Sequence, residues 1–310
     1  MELIRHLHNV RPLHRECVAT IGNFDGVHTG HKQVLAGLRA RADDLDLPTV
    51  AMIFEPLPRE FFGGDRVPAR LTTLREKLPL LAQAGVDRTL VCRFNRAFSS
   101  QPPEEFIRRW LVEGLAVRHL VVGDDFRFGA RAAGDFDMLV AAGRAQGFTV
   151  ESTQTWSSGD QRVSSTRVRE ALAAGDLAQA EVLLGRPFSL CGRVMRGDAL
   201  GRTIGFPTAN LKPGRHVLPL SGVFVVDVHE SGQPLRQGIC NVGYRPTVEG
   251  VSPRIEVHVL DTERDYYGHH LRLTVRHRLR AEKRFESFEA LKQAIAEDEA
   301  AARSWLANAG

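Results

Sequence analysis

Two histidines flank one glycine in Gly22-Asn23-Phe24-Asp25-Gly26-Val27-His28-Thr29-Gly30-His31. An imidazole donates hydrogen bonds whether neutral or cationic, so such a pair suits the oxygen atoms of a phosphate. The run follows the apolar stretch Cys17–Ile21 and opens a helix-like segment from Lys32, which makes it a loop between strand and helix. A loop of this kind leaves the first N–H groups of the helix unpaired at the positive end of its dipole, where phosphates bind. Gly22, Gly26 and Gly30 let the backbone approach closely, with Phe24 and Asp25 between them. A Gly-rich turn with two surface histidines is the plainer account of an HxxH pair taken alone.

Three further stretches carry residues of the same kind. Val122-Gly123-Asp124-Asp125-Phe126-Arg127-Phe128-Gly129 ends a strand with paired carboxylates and alternating aromatics; a strand end followed by a bend is one account, and a functional one puts Asp125 and Phe128 near a flat, polar-edged ring. Val163-Ser164-Ser165-Thr166-Arg167-Val168-Arg169 starts a helix with hydroxyls followed by two arginines. Ser165 or Thr166 as a helix cap is one account; hydroxyls at a helix start with Arg169 one turn inside also hold a triphosphate. Gly197 to Asn210 reads GDALGRTIGFPTAN, in which glycines and an arginine precede a Pro-fixed turn presenting Thr208 and Asn210. Neutral oxygen ligands of that type complete a magnesium sphere when phosphates and water supply the rest. Downstream, Ile255, Val257 and Val259 share one face of an alternating strand, and Glu256, His258 and Leu260 share the other. An outward, solvated Glu is the plainer account of Glu256; beside a magnesium-ATP loop, a carboxylate that accepts a proton from an attacking hydroxyl is the sharper one. Asp25 and Asp124 are open between a magnesium or ribose contact and a loop-stabilising role. Neither GxxxxGK[ST] nor GxGxxG occurs, so bound ATP uses neither the P-loop nor the dinucleotide fingerprint.

These groups need elements to hold them. Apolar runs at Cys17–Ile21, Thr49–Phe54, Thr89–Phe94, His119–Val122 and Phe148–Ser152 alternate with helical patterns at His31–Ala42, Leu74–Ala84, Pro103–Leu111 and Phe136–Ala145. That succession predicts a parallel sheet covered on both faces, with ligands beyond the carboxyl ends of its strands. Gly22, Phe54 and Gly123 fall at such ends. Helices over Thr166–Ala174 and Asp176–Leu184 follow, and Arg186-Pro187 marks a boundary. Beyond it, short β-like segments at Phe188–Met195, Gly222–His229, Gly238–Val242, Arg254–Leu260 and Leu271–Leu279 predict a small antiparallel barrel. Asn241–Thr247 reads as a flexible loop, and Ser287–Ala307 as a closing helix.

The whole chain is consistent with this. Its 310 residues exceed what one core usually organises, so two domains are expected. A net charge of +4 with acids and bases interspersed makes no case for nucleic acid. Cys17, Cys92, Cys191 and Cys240 are widely spaced and read as reduced core residues rather than bridges or a zinc site. With a charged N-terminus and no apolar stretch of membrane-spanning length, the expectation is a cytoplasmic protein without membrane association. Monomer and homo-oligomer are both compatible.

In order, GNFDGVHTGH, FEPLPREFF, VVGDDFRFGARAAGD and VSSTRVR closely resemble the FMN adenylyltransferase module of bacterial bifunctional riboflavin kinase/FAD synthetases, over nearly all of the first half. GRxxGFPTAN, GVFVVDV, NVGYRPTV, EVHVLD, DYYG and LRAEKRF resemble the riboflavin kinase module from about Gly185 to Arg303. The resemblance implies a Rossmann-like HxGH nucleotidyltransferase domain over 1–184 and a six-stranded antiparallel riboflavin-kinase-like barrel with a C-terminal helix over 185–310. It implies riboflavin, FMN, FAD and ATP as ligands, with Mg2+ for both steps. His28 and His31 would assist transfer at the ATP phosphates, with Gly22, Phe24, Asp25, Gly26, Ser164, Thr166 and Arg169 in that ATP site. Phe54, Pro56, Phe62, Asp125 and Phe128 would line a flavin pocket. In the second half the resemblance puts Gly201, Arg202 and Gly205 at ATP, Thr208 and Asn210 at Mg-ATP, Glu256 as base, and Arg280, Glu282 and Phe285 near the flavin under a mobile flap. Leu57 stands where many members have a polar residue, and Asp125 where some have Asn. A chain with one silent site, and a flavin-binding regulator without turnover, are the competing readings.

Overall fold

The computed structural model describes residues 1–64, 67–153, 163–196, 206–247, 250–283 and 285–308. The chain forms two compact units that interleave along the sequence: Met1–Pro68 with Lys77–Val163, and Ala69–Glu76 with Ser164–Gly310. Compactness therefore groups 69–76 and 164–184 with the barrel, whereas the division at 184/185 follows the motifs.

The first unit is built on six strands: β1 (Glu2–Arg5), β2 (Cys17–Ile21), β3 (Thr49–Glu55), β4 (Arg88–Arg93), β5 (Val117–Val122) and β6 (Thr149–Ser152). They pair in the order β1-β4-β3-β2-β5-β6, all parallel. All five residues of β2 are buried, so both faces of the sheet are covered there, as an unbroken apolar run requires. From β2 the chain builds β3 and β4 on one side, then returns to place β5 on the other. That reversal makes a crevice beyond the carboxyl ends of β2 and β5, where open α/β sheets bind ligands. Gly22 and Gly123 both follow directly.

Helices α1 (Thr29–Asp44), α2 (Pro58–Phe62), α3 (Leu74–Gln83), α4 (Arg96–Ser99), α5 (Pro103–Phe106), α6 (Phe136–Gln146), α7 (Ser165–Ala174) and α8 (Leu177–Leu184) lie between and after the strands. Asp135, Ser164 and Asp176 cap the last three with side-chain oxygens, and Gly147, Gly175 and Gly185 stop them in the left-handed conformation. Two expectations change. The helix predicted over Pro103–Leu111 becomes the short α5 followed by wider π-type turns over Ile107–Gly114, which bury Ile107, Trp110 and Leu111. Edge strand β1 was not foreseen, because Glu2 and Arg5 break its apolar pattern.

The second unit is a closed barrel of β7 (Ser189–Met195), β8 (Ala209–Lys212), β9 (Gly222–His229), β10 (Arg236–Thr247), β11 (Gly250–Val259) and β12 (His270–Arg280), in the order β10-β11-β8-β7-β12-β9. Every pairing is antiparallel. Asn241–Thr247, expected as a flexible loop, instead extends β10, because its backbone continues the ladder with β11 as far as Thr247 opposite Gly250. Helix α9 (Phe288–Asn308) packs Ala302, Trp305 and Leu306 against Val223, Val225, Ile239 and Leu260.

A buried carboxylate ties 69–76 into this unit. Glu76 accepts from the Thr73 N–H at 2.6 Å, the Thr73 hydroxyl at 2.9 Å, the Cys191 N–H at 2.6 Å and the Arg215 guanidinium at 2.5 Å. Arg215 in turn donates to the Arg70 and Leu71 carbonyls. Both side chains are almost wholly out of water, at 0% exposure for Arg215 and 4% for Glu76. Removing one partner strands a buried charge. Glu76→Ala is therefore expected to cost about 3–5 kcal/mol in urea unfolding of the barrel unit, and a loss below about 1 kcal/mol would contradict the account.

Candidate active sites

In the first unit His28 is the cap of α1. Its Nδ1 accepts the His31 backbone N–H at 3.3 Å, which leaves the ring proton of the neutral imidazole on Nε2, as a donor. The His28 and His31 rings stack with centroids 3.6 Å apart and planes 16° from parallel, and Phe24 packs on His31 at 5.1 Å. Gly30 sits tightly against this stack: a Cβ there would come within 3.3 Å of the His28 ring and of the Val163 carbonyl. Phe24 and Val27 hold φ of 45° and 41°, a left-handed backbone that is strained for both residue types. Asp25 and His28 are buried. The sequence therefore places a strained, tightly folded loop at the switch point of the sheet, with two imidazoles at its end.

Beyond β3, Phe54 meets Phe94 at 5.8 Å and Phe98 at 5.6 Å, and the exposed Phe62 of α2 meets Phe94 at 5.7 Å. Phe94, outside the expected set, is what brings Phe54 and Phe62 into one aromatic group. Pro56 is exposed and Leu57 buried. Asp125 is exposed after β5, with its carboxylate against Gly123, whereas Phe128 is a core residue packed on Phe106 at 5.2 Å and Phe126 at 5.6 Å.

Ser164, Thr166 and Arg169 fall in the second compact unit. Ser164, rather than Ser165 or Thr166, caps α7 by accepting from the Arg167 N–H at 3.3 Å. Arg169 donates from Nε to the Ala69 carbonyl. Gly201, Arg202 and Gly205 lie outside the described residues.

In the barrel, strand register does the positioning. Glu256 stands directly between Asn210 on β8 and Asn241 on β10. Ile255, Val257 and Val259 point inward and are buried, so Glu256 and His258 must face outward. Arg254, two residues back on the same face, bonds the Glu256 carboxylate at 2.5 Å, and His258 bonds the Pro207 carbonyl at 2.8 Å beside Thr208. Arg280 at the end of β12 grips Asp298 of α9, and its guanidinium lies over the Phe285 ring. A Cβ at Gly243 would fall on the Glu282 carboxylate, so that carboxylate lies against the β10 backbone.

Two family models cover the chain: FAD synthetase over residues 10–167 and riboflavin kinase over residues 184–306. The bifunctional riboflavin kinase/FMN adenylyltransferase of Escherichia coli K12 is 51% identical over 307 residues, spanning 99% of this chain and 98% of that protein. Its counterpart in Pseudomonas fluorescens is 52% identical over 308 residues, with the same coverage. The chain belongs to the bifunctional riboflavin kinase/FMN adenylyltransferase family. A solved structure described as a macrolide-efflux protein from Streptococcus pneumoniae shares the architecture, with a TM-score of 0.79 and 28% identity over 98% of this chain and 100% of that one. No helix among the described residues is long and apolar enough to cross a membrane.

Within this family member, two features escaped the sequence reading. Lys77 of α3 is fully buried, and its Nζ donates to the Asn23 carbonyl at 2.6 Å inside the HxGH loop. Its signal was available: Leu74, Lys77, Leu78 and Leu81 recur at helical spacing, which places a lysine on the apolar face. A cleft of about 80 Å³ in the barrel unit is lined by Thr208, Ala209, Val257, Tyr266 and Tyr267, joining the two tyrosines of DYYG to the PTAN turn.

Although the His31 ring keeps some contact with solvent, loss of water around it, followed by the His28 and Lys77 charges, holds its pKa well below the usual imidazole value. Between that depressed value and about 6.5 the unfolded chain binds a proton that the folded chain refuses. The contribution to stability is complete above about pH 6.5 and is lost as acid carries the pH down through the folded value. His31→Gln is expected to flatten the stability-versus-pH curve below about pH 6.5. Unfolding curves between pH 5 and 8 would check this, and an unchanged slope would mean His31 titrates normally.

Proposed function

We infer that this enzyme phosphorylates riboflavin with ATP to FMN in its barrel and then adenylylates FMN with a second ATP to FAD. The observation that carries the reading is a pairing of chemistries: stacked donor imidazoles at the switch point of one unit, and a carboxylate set between two asparagines in the other. FMN is the product of one reaction and the substrate of the other, which makes the two sites coherent in one chain. We assign the transfer to residues 1–184 and the kinase to 185–310, in line with the motifs.

In the kinase step the terminal ribityl hydroxyl attacks the γ-phosphorus, Glu256 takes the hydroxyl proton, and ADP leaves. Thr208 and Asn210 offer only neutral oxygens, and no group of three His, Cys, Asp or Glu able to hold a metal occurs among the described residues. A magnesium ion here would therefore take most of its ligands from phosphate and water, which is how Mg2+ binds with ATP. Held there with Thr208 and Asn210, such an ion would supply neutralisation of charge on the phosphate oxygens. The cleft between Thr208 and the two tyrosines is suited to the flat base of the same nucleotide. Glu282 and Phe285, with Arg280 behind them, face the flavin.

In the transfer step an FMN phosphate oxygen attacks the α-phosphorus and pyrophosphate leaves, with no covalent enzyme intermediate. Catalysis is then positioning and charge stabilisation. His28 and His31 donate to the phosphate oxygens, His31 as a neutral ring, in an ATP site that also includes Gly22, Phe24, Asp25 and Gly26. The aromatic group of Phe54, Phe94 and Phe62, with Pro56, Asp125 and Phe128, is the flavin end. The four cysteines are free and three of them are buried, which supports work in a reducing compartment such as the cytoplasm.

Chromatography of riboflavin and Mg-ATP incubated with each variant tests both assignments. His28→Ala is expected to accumulate FMN while slowing FAD formation by roughly 10²–10⁴-fold, and Glu256→Ala to lose FMN formation by a similar factor. FAD made at the normal rate by His28→Ala would refute the role of the HxGH loop.

A further inference from the structure

We propose that Asp298 of α9 is a positioning residue of the riboflavin site, acting through Arg280 on Phe285. The inference rests on reading the barrel as the riboflavin kinase.

Arg280 was expected to meet the flavin, yet its hydrogen-bonding edge is already engaged. Its Nε donates to Asp298 Oδ1 and one terminal nitrogen donates to Oδ2, both at 2.8 Å, while the other terminal nitrogen donates to the Ala281 carbonyl at 3.1 Å. The Nε side of the planar fork is the edge that matches a carboxylate or phosphate in two parallel bonds, and Asp298 takes it. What remains is the face of the guanidinium. That face carries the Phe285 ring at 5.6 Å, and Lys283 Nζ lies 5.1 Å from the same ring.

Attachment of α9 does not explain a buried acid at this point. The helix is already held by Ala302, Trp305 and Leu306 on the barrel, and Arg303 ties it at the surface to Asp261. Asp298 is only 8% exposed, and a buried ion pair is poor stabilising material compared with apolar packing. Its geometric consequence is more definite: two bonds fix the guanidinium plane, and the plane fixes an aromatic ring. Glu282 pins the near side of the same segment by lying against Gly243. Phe285 is thereby presented as a rigid flat surface, the partner a flavin ring stacks on. Arg280 acts behind the site rather than in it.

The test compares steady-state kinetics of the full chain with riboflavin and Mg-ATP. Asp298→Asn is expected to raise KM for riboflavin about tenfold while kcat and the KM for ATP stay within about twofold, the pattern of lost uniform binding. Phe285→Leu, and Arg280→Lys, which keeps the charge but loses the fork, should give the same riboflavin-specific rise. The Asp298→Asn/Phe285→Leu double variant should be no worse than the poorer single, because both act on one contact. Asp298→Glu should recover part of the loss. Arg303→Gln, which removes the surface tie of α9, should leave riboflavin KM unchanged. An unchanged riboflavin KM in Asp298→Asn, an equal rise in Arg303→Gln, or multiplying effects in the double variant would each overturn the relay alone. No FMN from the unmodified chain would overturn the kinase reading, and this inference with it.

Discussion

Two imidazolium charges cannot share rings stacked 3.6 Å apart, and the site in the first unit is arranged around that constraint. The stack leaves little room for a side chain at Gly30, and His28 gives its Nδ1 to the backbone, so its donor is Nε2 when the ring is neutral. The left-handed Phe24 and Val27 carry the strain of turning the chain sharply enough to bring His28 over His31. The buried Lys77 ammonium adds positive charge beneath the loop while bonding its Asn23 carbonyl. A desolvated His31 ring above a buried cation suits a ligand that brings its own negative charge. Under the proposed transfer a triphosphate would bring that charge, and donation from His31 would avoid the cost of charging a desolvated ring.

The barrel solves its positioning problem with register instead of strain. Side chains alternate with period two, so sliding β11 by one residue would turn Glu256 into the core and push Val257 into water. The buried Ile255, Val257 and Val259 forbid that slip. The same register sets Asn210 and Asn241 abreast of Glu256, although they lie far from it in sequence. Hydrophobic packing inside the barrel thus aims a carboxylate on its outside.

What the sequence disclosed divides along these two mechanisms. The buried parallel strands are continuous apolar runs, and the chemistry sits in loops at their ends, so β2, β3 and β5 and the HxGH loop were legible from local pattern. Cross-strand neighbours are not local. Glu256 was identifiable as an outward acid, but its asparagine neighbours emerge only once three strands pair. Four-residue β8 hid behind Pro207, and β1 behind its charged ends. Phe94 joined the aromatic group only in three dimensions. Lys77 and Asp298 share a different signature: each is a charge on the apolar stripe of a helix, as Ala294, Asp298 and Ala302 show at a spacing of four. A charge on a buried stripe must find a partner, and in both cases the partner belongs to a proposed site.

Arg254 shows how the same economy extends to Glu256, the proposed base. Residues two apart on a strand point the same way, so an arginine at this position reaches Glu256 without any loop or metal to guide it. A guanidinium bond to one carboxylate oxygen fixes the plane of the carboxyl group, and with it the direction in which the other oxygen can accept. Asn210 and Asn241 on either side are uncharged, so in the proposed kinase step they would neither repel a γ-phosphate nor compete for a proton. Aim is thus given to Glu256 by its own strand and neutrality by its neighbours. If Glu256 is the base, as proposed, it needs only the hydroxyl and the phosphate to arrive in line, which places the remaining demand on the surface that orients the flavin.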